Sequence, residues 1–189
     1  MSQESKQEIM DATYKALCKH GYADLSIQNI ADEFEKGKSL IYYHYDDKED
    51  LMLAFLNFMG EHVKKQHDNL DGVAPEKRLD ELLDMTLGVE DDEMWEFRRA
   101  FLELRAQAPK SPEFVESFEK IDGLIAENMK EILNELNVDQ PEKMAEILVS
   151  SIEGSVMRKV SIDDRDGLKE LKNNIKEIVE QHISNGSEN

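Results

Sequence analysis

The sequence predicts an all-α fold in which three short N-terminal helices precede a longer helical region. Three observations support this prediction. Apolar residues recur at helical spacing along most of the 189 residues. Capping residues and Gly- or Pro-containing breakers separate the periodic segments. No segment shows the alternation of polar and β-branched residues that is typical of a strand.

Capping patterns predict the first two helices. Ser5 and Glu8 form a capping-box pattern at the start of the first helix, and Gly21 follows a basic last turn at its end. Ser26 is the predicted N-cap of the second helix. The apolar residues after this cap follow the i, i+3, i+4, i+7 rule and are Ile27, Ile30, Ala31 and Phe34.

A third, very short helix is predicted around the paired tyrosines. Asp46 and Glu49 then repeat a cap-and-return pattern that predicts the start of a long fourth helix. The third helix would bury Leu40, Ile41 and Tyr45 and expose Lys38, Ser39, Tyr42 and Tyr43. A small exposed helix with hydroxyl and aromatic groups fits the major groove of DNA. Packing of the tyrosines inside the protein is the alternative.

The rest of the chain reads as helices separated by breakers. Ser111, Pro112 and Glu113 are an N-cap, a first-turn proline and a first-turn acid, which together predict a helix start. Breakers lie at residues 71–75, 88–92, 109–112, 137–141 and 163–167.

The last two helices carry apolar stripes that differ from the others. Residues 168–182 repeat apolar positions in steps of three and four, and the preceding stripe contains small residues that permit close helix approach. Two such helices per chain predict a four-helix interface with a second copy. The candidate interface residues are Leu148, Ile152, Ser155, Leu171, Ile175 and Ile178. Packing within the chain remains the alternative.

Composition limits the class of protein. The hydrophobic content of 40% supports a real core, and the single cysteine, Cys18, excludes an internal disulfide framework and fits a reducing cytoplasm. No segment is long and apolar enough to predict a bilayer span. The net charge of −19 is unusual for a nucleic-acid binder. Lys36, Lys38 and Lys48 nevertheless cluster around the third helix, and a high-salt cytosol is one hypothesis for the acidity.

Patterns that would indicate an enzyme or a metal site are weak. Gly37-Lys38-Ser39 matches the end of a phosphate-binding P-loop, but Asp32 occupies the position of its first glycine. His62 and His67 are five residues apart, so they point to different faces of a helix and form a poor zinc pair. The sequence therefore predicts no catalytic residues, no metal and no cofactor.

The N-terminal segment resembles the TetR family of transcriptional regulators. The resemblance covers about residues 5–60 and is carried by Ile30-Ala31, Lys38, Leu40-Ile41, Tyr42, His44, Tyr45, Lys48-Glu49 and Leu51. It implies a helix-turn-helix DNA-binding domain in residues 1–50. It also implies a helical effector-binding and dimerisation domain in residues 51–189.

The resemblance also implies roles for individual residues. Tyr42, His44 and Lys48 would contact phosphates, Lys38 and Ser39 would reach base edges, and Tyr43 would touch a base or sugar. Ser26 at a helix start would donate to phosphate. The full set of implied DNA-binding residues is Ser26, Lys36, Gly37, Lys38, Ser39, Tyr42, Tyr43, His44 and Lys48. Glu35 and Ser39-Leu40 depart from the residues usual in the family, so base preference is not implied.

The implied function is a ligand-responsive regulator that binds a palindromic double-stranded DNA operator as a homodimer, with repression favoured over activation. Trp95 and Phe101 are candidate contacts to an unknown small-molecule effector, because the middle of the chain is rich in aromatic and methionine side chains. The alternative is a helical small-molecule-binding or interaction protein that has lost DNA binding.

Overall fold

The computed structural model describes residues 3–34, 36–70, 72–89 and 92–184. For residues 3 and 4 it describes the backbone alone. Across these ranges the chain is helical, apart from turns and an isolated β-bridge between Val138 and Ile183. The predicted all-α class is confirmed. The helices are α1 (Gln3–His20), α2 (Ile27–Asp32), α3 (Lys38–His44), α4 (Lys48–Asn69), α5 (Pro75–Leu87), α6 (Asp92–Arg105), a 3₁₀ turn (Ala108–Lys110), α7 (Pro112–Glu135), α8 (Pro141–Ser161) and α9 (Arg165–Gln181).

Most predicted helix boundaries agree with the structure, and two do not. The prediction that Ser5 caps the first helix is wrong, because α1 already includes Gln3. The cap of α4 lies one residue later than predicted. Asp47, not Asp46, accepts a hydrogen bond from the backbone N–H of Asp50 at 2.9 Å, and the Asp50 carboxylate accepts one from the backbone N–H of Asp46 at 3.1 Å. The acidic run allows either register, so periodicity alone could not choose.

The described chain divides into two compact units. The first combines residues 1–62 with residues 91–121, and in it both α6 and α2 pack on α1. Its core consists of fully buried apolar side chains, among them Ile9, Leu17, Ile30, Ile41 and Phe55. Burial of such side chains supplies most of the stabilisation of helices as short as α2 and α3.

The second unit combines residues 63–90 with residues 122–189, and in it α8 and α9 pack on each other and on α5. Its core includes Leu83, Leu148, Ile152, Ile175 and Val179. Ion pairs between α5 and α9 flank this core. Their cations are Lys172 and Lys176, and their acids are Asp80 and Asp84.

Candidate nucleic-acid interface

The start of α2 is fixed by a reciprocal capping box. The backbone N–H of Asn29 donates to the Ser26 hydroxyl at 3.2 Å, and the backbone N–H of Ser26 donates to the Asn29 side-chain oxygen at 2.9 Å. Ser26 has extended backbone geometry, as an N-cap requires. The predicted cap is therefore confirmed. The exposed Ser26 hydroxyl also donates to the Asn29 side chain at 2.5 Å, so its assignment as a phosphate contact stays a prediction.

Gly37 makes the turn into α3. It is the N-cap of that helix, and its φ of 83° lies in the region that favours glycine. Its carbonyl accepts a hydrogen bond from the backbone N–H of Leu40 at 3.2 Å. The turn thus uses Gly37 as its left-handed residue, while Glu35, the departure noted in the sequence, lies outside the described residues.

The third helix presents one apolar and one polar face. Ile41 is 0% exposed and Tyr45 is buried beside it, whereas Tyr42 is 51% exposed and Tyr43 is 77% exposed. Ser39 is exposed as well, and Leu40 is half-buried. Two exposed phenol groups on a helix of this size are the kind of surface that a groove of DNA accommodates. The predicted outward placement of the tyrosines is confirmed.

The neighbouring polar groups extend this surface. The Lys38 ammonium lies 5.5 Å from the centre of the Tyr42 ring, and the rings of Tyr43 and His44 meet edge-on with centres 5.0 Å apart. Both Lys38 and His44 are half-buried. Phenol, imidazole and ammonium groups can all donate to phosphate oxygens. The arrangement can therefore bind a polyanion through α3 and read bases through the exposed tyrosines.

Two of the predicted cationic contacts have partners within the chain. The Lys36 ammonium is 2.5 Å from a Glu8 carboxylate oxygen, and both side chains are partly exposed. The Lys48 ammonium donates to the carbonyl oxygens of Leu25 at 3.1 Å and Tyr22 at 3.4 Å. Their roles as DNA contacts stay predictions, and the second arrangement was not foreseen.

The candidate effector residues have different surroundings. Trp95 is buried, and burial alone does not distinguish a ligand contact from core packing. Phe101 is half-buried and belongs to a row of aromatic rings in the first unit, with its centre 5.5 Å from that of Phe97 and 5.4 Å from that of Phe118. Tyr14 continues the row at 4.8 Å from Phe97. The effector assignments stay predictions.

Sequence reasoning missed two charged residues of α6. Burial lowers the pKa of Arg98 to about 10; Tyr14 partly opposes this shift, and the charge of Arg105 adds to it. Glu103 accepts two backbone hydrogen bonds from the turn after α1. The partners of Glu103 are distant in the chain, so no local pattern could have identified its contacts.

The candidate dimer residues face in more than one direction. Leu148, Ile152 and Ile175 are buried in the core of the second unit, Ser155 and Leu171 are half-buried, and Ile178 is exposed. Helix α8 also exposes two apolar side chains outside the six candidates: Ile147 is 60% exposed and Met157 is 61% exposed. The three buried residues pack within the chain, which is the alternative that periodicity left open. Contacts of the six residues with a second copy stay predictions.

Comparison with known proteins decides the family. Residues 9–55 match the family model described as bacterial regulatory proteins of the tetR family. A TetR transcription regulator from Haloarcula marismortui is 34% identical, with a TM-score of 0.82, over 97% of this chain and 100% of that one. The chain belongs to the TetR family. It is a DNA-binding transcriptional regulator with an N-terminal helix-turn-helix and a helical C-terminal region, and it is not an enzyme.

More distant relatives agree with this assignment. The HTH-type transcriptional repressor AcnR of Corynebacterium glutamicum is 23% identical over 175 residues, which is 88% of each chain. A transcriptional regulator of Saccharomonospora viridis, crystallised with choline, shares the fold with a TM-score of 0.78 and 17% identity, over 96% of this chain and 98% of that one.

Two further observations concern other kinds of site. In the described ranges, no group of three or more His, Cys, Asp or Glu side chains is arranged to hold a metal ion. Among the helices of the same ranges, none combines the length and the apolar character needed to cross a bilayer.

Proposed function

We propose that this TetR-family chain is a cytoplasmic repressor that binds a palindromic operator as a homodimer and releases it on binding a small-molecule effector. Residues 1–50 read DNA, and residues 51–189 dimerise and bind the effector. The observation that carries the proposal is the outward face of α3, where Tyr42 and Tyr43 are exposed while Ile41 holds the helix to the core.

The proposed DNA contacts divide into positioning and reading groups. Tyr42, His44 and Lys48 contact phosphates, and Ser26 and Lys36 add further donors at the edge of the surface. Lys38, Ser39 and Tyr43 lie at the base edges, and Gly37 permits the approach of the backbone. In a dimer, two copies of α3 would lie about 34–36 Å apart, one turn of the duplex.

The proposed dimer surface is the exposed side of α8, with Ile178 of α9 beside it. Ile147, Gly154 and Met157 follow one another at helical spacing, and an added Cβ at Gly154 would meet nothing within 4 Å. An exposed apolar stripe with a glycine at its centre allows a second helix to approach closely. The half-buried Ser155 and Leu171 lie at the edges of this surface, whereas Leu148, Ile152 and Ile175 support it from within.

The proposed effector contacts are Trp95 and Phe101. The row of aromatic rings that includes Phe101 favours a ligand with an apolar or cationic part, because ring faces attract cations. The choline bound to the Saccharomonospora viridis protein is a ligand of that class. Choline and its apolar analogues are therefore the first compounds to screen by thermal shift.

The test is recovery of DNA from the protein's own genome. Fragments retained by the purified chain are sequenced, and an operator with two inverted half-sites is expected. Tyr42→Ala should weaken binding to the retained fragment while the oligomeric state stays unchanged. If no fragment is retained at any salt concentration, the chain has lost DNA binding and acts through its helical body alone.

A further inference from the structure

A carboxylate of α6 holds the turn between α1 and α2. Glu103 accepts hydrogen bonds from the backbone N–H groups of Tyr22 at 2.8 Å and Ala23 at 3.0 Å, through the same oxygen. Gly21 begins this turn with a φ of 67°, and an added Cβ there would lie 3.0 Å from that oxygen. Successive backbone N–H groups after a left-handed residue form a concave anion-binding surface. Here the anion is a side chain distant in sequence.

The opposite side of the same turn holds a cation. The Lys48 ammonium donates to the carbonyl oxygens of Leu25 and Tyr22, and it lies 4.5 Å from the centre of the Tyr22 ring. Tyr22 therefore joins the two charges, with its N–H on the Glu103 carboxylate and its carbonyl on the Lys48 ammonium. Hydrogen bonds linked in this way polarise and strengthen one another.

The two hydrogen bonds to carbonyl groups restrict the orientation of the Lys48 ammonium. An ammonium has three N–H donors, and the two carbonyls occupy two of them. The third is directed by the positions of the other two, so the turn sets where Lys48 can meet a phosphate oxygen. A turn without its anionic partner would leave the N–H groups of Tyr22 and Ala23 to water and allow its carbonyls to move.

We propose that Glu103 is a positioning residue for DNA binding: its hold on the α1–α2 turn fixes the Lys48 ammonium in the orientation that meets the operator phosphate. The inference rests on the proposed function, since it requires that Lys48 contacts DNA. Glu103 itself touches no DNA in this arrangement. It acts through Tyr22, and it links α6 to the DNA-binding surface.

The test is a double-mutant cycle on operator affinity, using the full chain and a fragment that the wild-type protein retains from its genome. The variants are Glu103→Ala, Lys48→Met and both together. Affinity is measured by fluorescence anisotropy over a series of KCl concentrations, and thermal unfolding is recorded for each variant. Glu103→Gln keeps an acceptor oxygen and covers the case in which the alanine variant does not fold.

Glu103→Ala should weaken binding by about tenfold, the range expected for groups coupled in one network. The slope of log affinity against log salt should become shallower by about two for a dimer, since one phosphate contact is lost per subunit. The double variant should bind no more weakly than Lys48→Met alone, and Glu103→Gln should be intermediate. Glu96→Gln is the matched control, because Glu96 lies two turns earlier on α6 and pairs with Arg99 at 3.6 Å.

The remaining outcomes contradict the inference. Unchanged affinity with a lowered melting temperature would make Glu103 merely structural. Losses that add in the double variant, or a loss of affinity without a change in the salt slope, would show that Glu103 does not act through Lys48. Failure of the wild-type chain to retain any DNA is a different result, since it would overturn the proposed function.

Discussion

The outward face of α3 and the apolar stripes of α8 and α9 differ in how well the sequence predicts which side chains are exposed. Around α3 the predicted orientation is present, with the paired tyrosines exposed and Ile41 fully buried. On α8 and α9, three residues assigned to a partner interface are buried in the chain's own core, whereas Ile147 and Met157 are exposed. Periodic patterns predict the buried face of the helix in both regions.

The difference shows what periodicity can decide. A repeat of three and four residues identifies the apolar face of a helix, but a face buried within the chain and one buried by a partner have the same period. Around α3, the tyrosines, His44 and Lys48 carry groups that can bind DNA, and the family resemblance implies that these groups face outward. On the last two helices, no group of this kind indicates which apolar stripe faces outward.

The largest expected effect comes from placing charge on the exposed stripe. The double variant Ile147→Glu, Met157→Glu should be monomeric by light scattering, because two carboxylates would be buried at the proposed interface. Operator affinity should fall by at least about a hundredfold, since the two half-sites would no longer be bound by one linked molecule.

The control for this variant is Asn173→Glu, which adds an exposed carboxylate on a different side of α9 from Ile178. It should remain dimeric. A double variant that also stays dimeric would show that the interface lies elsewhere.

Leu148→Ala tests the other side of the comparison. Its side chain is buried in the second unit, so truncation should reduce the free energy of unfolding by about 2–5 kcal/mol. The dimer should persist at temperatures where the chain is folded. Denaturant unfolding and light scattering on the same sample separate the two effects. Loss of the dimer without loss of stability would restore the original assignment of Leu148 to the interface.

Much of the fold could be predicted from the sequence, because local chemistry sets helix ends. Ser26 and Pro112 mark boundaries through a side-chain cap and a first-turn proline, and both lie where expected. The contacts of Glu103 and Lys48 could not be predicted. Those of Glu103 depend on the packing of α6 against α1, which brings together segments about 80 residues apart. Those of Lys48 join the start of α4 to carbonyl groups 23 and 26 residues earlier in the chain.

A smaller effect is expected on α3 itself. Tyr43→Ala should weaken operator binding by about 1–3 kcal/mol if its exposed ring contacts a base, and it should also relax preference at that position. Tyr45→Phe is the matched control, because this tyrosine is buried and burial raises the pKa of its hydroxyl. Competition binding with single-base operator variants measures both. Equal preferences in wild type and Tyr43→Ala would remove Tyr43 from base reading.

The smallest effect concerns the ion pairs between α5 and α9. Hydrogen bonds from Lys176, and then from Lys172, lower the pKa of Asp80 below its usual value, although burial partly opposes the shift. A carboxylate with a depressed pKa in the folded state stabilises the protein above its unfolded pKa of about 3.9, and this stabilisation is lost as pH falls through the folded value.

Asp80→Asn should therefore lower the free energy of unfolding near pH 7, by no more than about 1 kcal/mol since the side chain is 40% exposed. The difference from wild type should shrink as pH falls below the unfolded pKa and vanish once pH lies below the depressed folded pKa. Glu81→Gln, an exposed neighbour on α5, is the control in urea unfolding across this pH range. A difference that persists at low pH would mean that Asp80 acts through packing, and that apolar contacts alone turn Ile175 inward and leave Ile178 at the surface.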